Sequence, residues 1–148
     1  TSCECGGMIG GAEAEVTDAL AEFGTQLGLA FQLTDDILDI AGDPSLTGKQ
    51  SATDLIHGKF TLPVLLALQH GPDSARHALL AALNRPAMSQ AEAAQAAALI
   101  VESGAIEMAR DRAASCIARG LDRLAALPPS RYRDALEAVG DFVIRRSA

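Results

Sequence analysis

Along most of the chain, apolar residues return at steps of three and four, the period of a helix face and not of a strand. The longest such pattern runs from about Glu13 to Ala41, with Leu20, Phe23, Leu27, Phe31, Thr34, Leu38 and Ala41 on one side. At about 1.5 Å of rise per residue it predicts a helix roughly 40 Å long. Gly42-Asp43-Pro44 supplies stop residues for it. A polar loop is expected from Ser45 to about His57. Thr61-Leu62-Pro63 then opens a second apolar helix reaching His70, because proline near a helix start removes no needed hydrogen bond. Asp73 or Ser74 is placed to cap a helix ending near Asn84-Arg85-Pro86. Ser89 and Glu92 form a capping-box pattern for another, closed by Gly104. A further helix is predicted from Ile106 to Leu127, stopped by Pro128-Pro129. The last spans about Arg131 to Arg146, with Tyr132, Leu136, Val139 and Val143 on one face. Gly6-Gly7 and Gly10-Gly11 punctuate the start, and Thr1 enters helix-like sequence with no cap before it, so the chain is expected to begin inside an element. Helix follows helix without strand alternation, and the fold class is all-α.

Composition agrees with this picture and narrows it. The 148 residues are 49% hydrophobic and 21% charged, enough for a packed core and too apolar for a disordered chain. No repeat and no Gly/Ser/Pro-rich linker divides them, so residues 1–148 are expected to form a single domain or part of one. The apolar run from Leu62 to Leu68 is broken by Pro63 and is far short of the roughly 20 residues that span a bilayer. With no signal-peptide pattern at its start, the sequence predicts a cytoplasmic protein. Cys3, Cys5 and Cys116 lack the spacing of a zinc site and are expected to be small apolar helix residues. The net charge of −7 argues against a nucleic-acid partner. It also means that any bound phosphate needs a cation between itself and the protein.

Candidate chemistry lies at the end of the long helix. Asp35, Asp36 and Asp39 are spaced so that Asp39 shares a face with both of the others, where like charges repel. They fall in the last turns, where the helix dipole disfavours anions. Taken alone, the string also fits solvated surface acids. A hard divalent cation such as Mg²⁺ would compensate them, taking one or two carboxylates, waters and phosphate oxygens. On a helical wheel Ala21, Gly24, Gly28, Gln32 and the aspartates form a strip beside the large apolar residues. Two helix-interior glycines each cost about 1 kcal/mol against alanine, so space is needed there, either for a closely packed helix or for a channel holding an apolar chain. Beyond the acids, Lys49 and Lys59 flank Asp54, two of only twelve basic residues in the chain. Carboxylates, cation and lysines outline a diphosphate clamp.

The ordered run Gly28-Leu29-Ala30-Phe31-Gln32-Leu33-Thr34-Asp35-Asp36-Ile37-Leu38-Asp39, Gly48-Lys49, Thr53-Asp54-Leu55 and Gly58-Lys59-Phe60-Thr61-Leu62-Pro63 resembles the second aspartate-rich region of trans-isoprenyl diphosphate synthases, the polyprenyl synthetases. Gly104 to Arg110 and Asp141 to Arg146 are similar to the family's later helices. The resemblance implies the C-terminal helices of the isoprenoid synthase helical bundle. It implies Mg²⁺-dependent condensation of isopentenyl diphosphate with an allylic diphosphate to give a longer trans-polyprenyl diphosphate, usually in a homodimer. By the resemblance, Asp35, Asp36 and Asp39 are the metal ligands, and Asp35, Asp36, Lys49 and Lys59 are the catalytic residues. Lys49 and Lys59 grip the allylic diphosphate. Phe31 and Gln32 border the reacting groups, and Arg145 and Arg146 help to bind the second diphosphate. The family's other aspartate-rich motif has no match here, so a fragment with weak or no activity alone is expected. Two other readings are a non-catalytic partner subunit of a prenyl synthase and a terpene cyclase on the same fold, the latter opposed by the all-aspartate motif.

Overall fold

In the computed structural model, residues 1–42, 51–84 and 88–146 are described, and among them there are helices and turns but no strand. The helices are α1 (Ser2–Ile9), α2 (Ala14–Ala41), α3 (Thr53–Ile56), α4 (Leu62–His70), α5 (Asp73–Leu83), α6 (Gln90–Glu102), α7 (Ala105–Arg123) and α8 (Arg131–Arg145). A 3-10 turn, Leu124–Ala126, follows α7. The all-α expectation holds, and the long helix starts within one residue of the position predicted from its pattern.

Local chemistry explains most helix ends. Ser89 and Glu92 make the predicted capping box: the Glu92 N–H donates to Ser89 Oγ at 3.3 Å, and the Ser89 N–H donates to Glu92 Oε2 at 2.9 Å. After α6 the chain turns at Gly104, whose φ of +77° suits a residue without Cβ. Two expectations are corrected. The start of α5 is not capped by Asp73 or Ser74; Pro72 occupies the cap position, and Asp73 lies inside the first turn, paired with Arg76 at 2.6 Å. The expected polar loop is also not wholly irregular, because α3 forms within it. The first amides of α3 donate to Asp39, as described below.

The chain divides into two compact units. One contains residues 1–34 and 112–146. Here Ala30, Ala113, Cys116, Ile117 and Val143 form the buried core, with Leu27, Leu33, Leu121 and Ile144 packed around it. Small residues permit this close packing: a Cβ at Gly120 would meet Gln26 Cβ at 3.2 Å, and one at Gly140 would meet Leu121 Cδ2 at 3.3 Å. Consequently the buried face of the long helix is turned from the predicted one. Phe23 and Thr34 are buried as expected, but Ala19 and Ala30 join them while Phe31 is exposed. The predicted face of α8 is likewise only partly covered. Val143 is buried, whereas Tyr132 and Val139 are 67% and 46% exposed.

The other unit contains residues 35–111. Ile37, Ile40, Leu55, Val64, Leu79, Ile100 and Ile106 are among its buried core. Helix α6 packs against α3, α4 and α5, and α4 also packs against α5. The alanine-rich face of α6, with Ala93, Ala96 and Ala97 buried, lets these neighbours approach closely.

Candidate functional site

The three aspartates occupy the final turns of α2, yet their environments differ. Asp36 is buried, at 8% exposure, while Asp35 and Asp39 are partly exposed. Asp39 faces the segment that leads into α3. Its Oδ1 accepts the Thr53 N–H at 3.2 Å and its Oδ2 accepts the Asp54 N–H at 3.0 Å. Its backbone carbonyl accepts the Ala52 N–H at 2.6 Å. An ionised carboxylate receiving two backbone amides is a strong, directional cap.

The capped turn sets up an ion pair. Asp54 Oδ1 accepts from Lys59 Nζ at 2.7 Å, and the Lys59 N–H donates to the Asp54 carbonyl at 2.8 Å. Between them Gly58 adopts φ +67°, reversing the chain so that the two side chains meet. The Lys59 ammonium is held above its ordinary value of 10.5 by the hydrogen bond to Asp54 and then by that carboxylate's charge. Desolvation works against this, and the charges of Asp39 and Asp36 are the smallest contributions, both upward. Lys59 is therefore charged throughout the neutral range, in a field shared with three carboxylates. Its side chain is 62% exposed, open to a ligand.

This donor set suits a hard cation in part. Carboxylate oxygens are the right chemistry for Mg²⁺ or Ca²⁺. Among the described residues, however, no three His, Cys, Asp or Glu side chains are gathered so as to hold a metal ion between them. Asp35 and Asp36 fit a cation that takes one or two protein carboxylates and completes its shell with water and phosphate oxygens. Asp39 fits less well, since both of its oxygens already accept amides.

The remaining predicted residues separate. Lys49 lies outside the described residues. Phe31 and Gln32 are exposed on α2, and the Arg146 guanidinium sits over the Phe31 ring at 5.0 Å. Arg145 lies beside Asp141 at 4.0 Å, both well exposed. Phe31, Leu27, Gly24 and Gly28 line a cleft of about 510 Å³ together with Cys3 and Phe142. The two glycines of the small-residue strip differ. A Cβ at Gly24 would stand 3.2 Å from Cys3 Cβ and Sγ, so this glycine admits α1, whereas among the described residues nothing lies within 4 Å of one at Gly28. Sequence reasoning missed the long-range role of Asp39. The available signal was Thr53-Asp54, a helix start without a cap of its own.

Comparison with known proteins is unambiguous about kinship. The polyprenyl synthetase family model matches residues 1–100. A nonaprenyl diphosphate synthase of Mycobacterium tuberculosis is 40% identical over 142 residues, covering 95% of this chain and 42% of that protein. A polyprenyl synthase from Caulobacter crescentus, solved with calcium and isoprenyl diphosphate, superposes with a TM-score of 0.88 at 36% identity, over 98% of this chain and 44% of that one. A geranylgeranyl pyrophosphate synthase from Corynebacterium glutamicum, solved with isoprenyl diphosphate and magnesium, gives 0.81 at 32% identity, over 92% and 39%. The chain thus spans about two-fifths of the length of the relatives it matches.

Proposed function

Since the chain belongs to the polyprenyl synthetase family, we propose that it carries the diphosphate-binding half of a prenyl-transfer site, acting on an allylic diphosphate and isopentenyl diphosphate with Mg²⁺. The observation that carries this reading is the cluster in which Asp39 accepts the Thr53 and Asp54 amides at the turn that carries the Asp54–Lys59 ion pair. Such a mixed cluster cannot hold a diphosphate by lysine alone, because the carboxylates repel it. With a divalent cation added, the same carboxylates become an attraction. The bound cation supplies charge to the departing diphosphate, which is electrostatic and Lewis-acid catalysis.

In the proposed reaction the allylic C–O bond breaks, a C–C bond forms to the double bond of isopentenyl diphosphate, and a proton is lost as diphosphate leaves. Asp35 and Asp36 hold the cation. Lys59, and Lys49 by the family's pattern, bind phosphate oxygens. Phe31 and Gln32 border the apolar chain, and Arg145 and Arg146 assist the second diphosphate. The magnesium-bound Corynebacterium relative supports Mg²⁺ as the ion. No helix among the described residues is long and apolar enough to cross a membrane. A cytoplasmic homodimer, usual for the family, completes the proposal.

Calorimetric titration of the chain with inorganic pyrophosphate tests it. Binding is expected only with Mg²⁺ present, and Asp35→Ala and Lys59→Ala should each weaken it by at least about tenfold. With the family's other aspartate-rich half supplied, Asp35→Ala should nearly abolish incorporation of labelled isopentenyl diphosphate. Unchanged binding and turnover in that variant would overturn the assignment.

A further inference from the structure

Asp39 directs its backbone carbonyl and both carboxylate oxygens at one stretch of chain. Three consecutive N–H groups, those of Ala52, Thr53 and Asp54, donate to its carbonyl, Oδ1 and Oδ2. That stretch needs holding. Ala52 is fully buried at φ +59°, a left-handed conformation unfavourable for a residue with a Cβ. Helix α3 has four residues and no side-chain cap from its own N-cap residue, and so short a helix does not persist unaided. Gln90 adds one more restraint, its Nε2 donating to the Ser51 carbonyl at 3.0 Å. From the capped turn the linkage continues to Asp54 and through its ion pair to Lys59.

We propose that Asp39 is a positioning residue, not a metal ligand: it fixes the backbone of residues 52–54 and so sets where Asp54 and Lys59 stand. The role rests on the proposed diphosphate site, because it is the placement of that site's lysine that Asp39 controls. With each carboxylate oxygen already accepting an amide, Asp39 cannot rotate to chelate a cation through both oxygens without releasing them. Loss of the clamp would free the left-handed turn, unwind α3 and let the Asp54–Lys59 pair wander. Asp39 thus acts through Lys59, whereas Asp35 and Asp36 act on the cation.

Amide hydrogen exchange and pyrophosphate titration of the 148-residue chain separate the two roles. In the unsubstituted chain the Thr53 and Asp54 amides should be protected, and should stay so when Mg²⁺ and then inorganic pyrophosphate are added. A collapse of their protection on adding the metal would overturn the proposal, since it would show Asp39 leaving the amides to ligate. In Asp39→Ala those two amides should exchange at least about tenfold faster; exchange as slow as in the parent would also overturn it. Asp39→Ala should weaken Mg²⁺-dependent pyrophosphate binding about tenfold. Combined with Lys59→Ala, the loss should be much less than the product of the two single losses, as expected for residues on one path. Multiplying losses would refute a shared path. Should the variant not fold, the exchange series on the unsubstituted chain still decides. If the unsubstituted chain binds no pyrophosphate, the proposed function fails instead, and exchange at Thr53 and Asp54 continues to report on Asp39 alone.

Discussion

Thr34 on α2 is wholly enclosed, and among the described residues its hydroxyl has no hydrogen-bond partner. An unsatisfied buried hydroxyl costs about 1–3 kcal/mol, while threonine and valine have similar helix propensities. Thr34→Val should therefore raise unfolding free energy by about 1 kcal/mol in urea titration; a loss of that size would mean that the hydroxyl finds an acceptor in solution. The sequence placed Thr34 on the apolar face, which its burial bears out. It did not show that Asp39 differs from its two neighbours. Charge and spacing alone treat the three acids alike, and neither reveals the amides 14 and 15 residues downstream that Asp39 accepts.

At the level of the helix, period was legible and orientation less so. The 28-residue span of α2 follows from its three-and-four pattern, and the capping box of α6 follows from two residues. Which side of α2 is buried depended instead on how close a neighbour could come. Ala30 and Gly24 are buried or half-buried because small residues admit helices. Phe31 lines the cleft and is exposed, although size alone would have put it in the core, while Leu27 both lines the cleft and packs on the core. The two glycines of α2 should respond differently to alanine. Gly28→Ala meets open space and should stabilise the chain by about 1 kcal/mol through helix propensity. Gly24→Ala must displace Cys3 by a few tenths of an ångström, and the propensity gain should be largely cancelled. Thermal unfolding of the two variants provides the comparison, and an equal gain in both would contradict the close approach of α1 at Gly24.

Taken whole, the molecule leaves large apolar side chains in water. Phe142 is 63% exposed, and Tyr132 and Val139 on the same helix are also exposed. Contiguous apolar surface favours association. Sedimentation velocity should show concentration-dependent self-association of the chain, reduced when Phe142 and Val139 are both replaced by serine; an unchanged distribution in that variant would assign the association to another surface. The all-α class and the family were legible in sequence because both rest on local period and motif order. The division into two compact units was not, since α2 and α7 each run from one unit into the other without any break in their helical pattern.

The left-handed turn at Ala52 also limits how this segment can change over generations. Its methyl group is fully enclosed, so larger side chains have no room, and its positive φ penalises branched ones most. Glycine would be at ease with the angle but would give up a buried methyl. The mutational repertoire at position 52 therefore narrows to alanine and glycine. That restriction is inherited from an aspartate thirteen residues earlier.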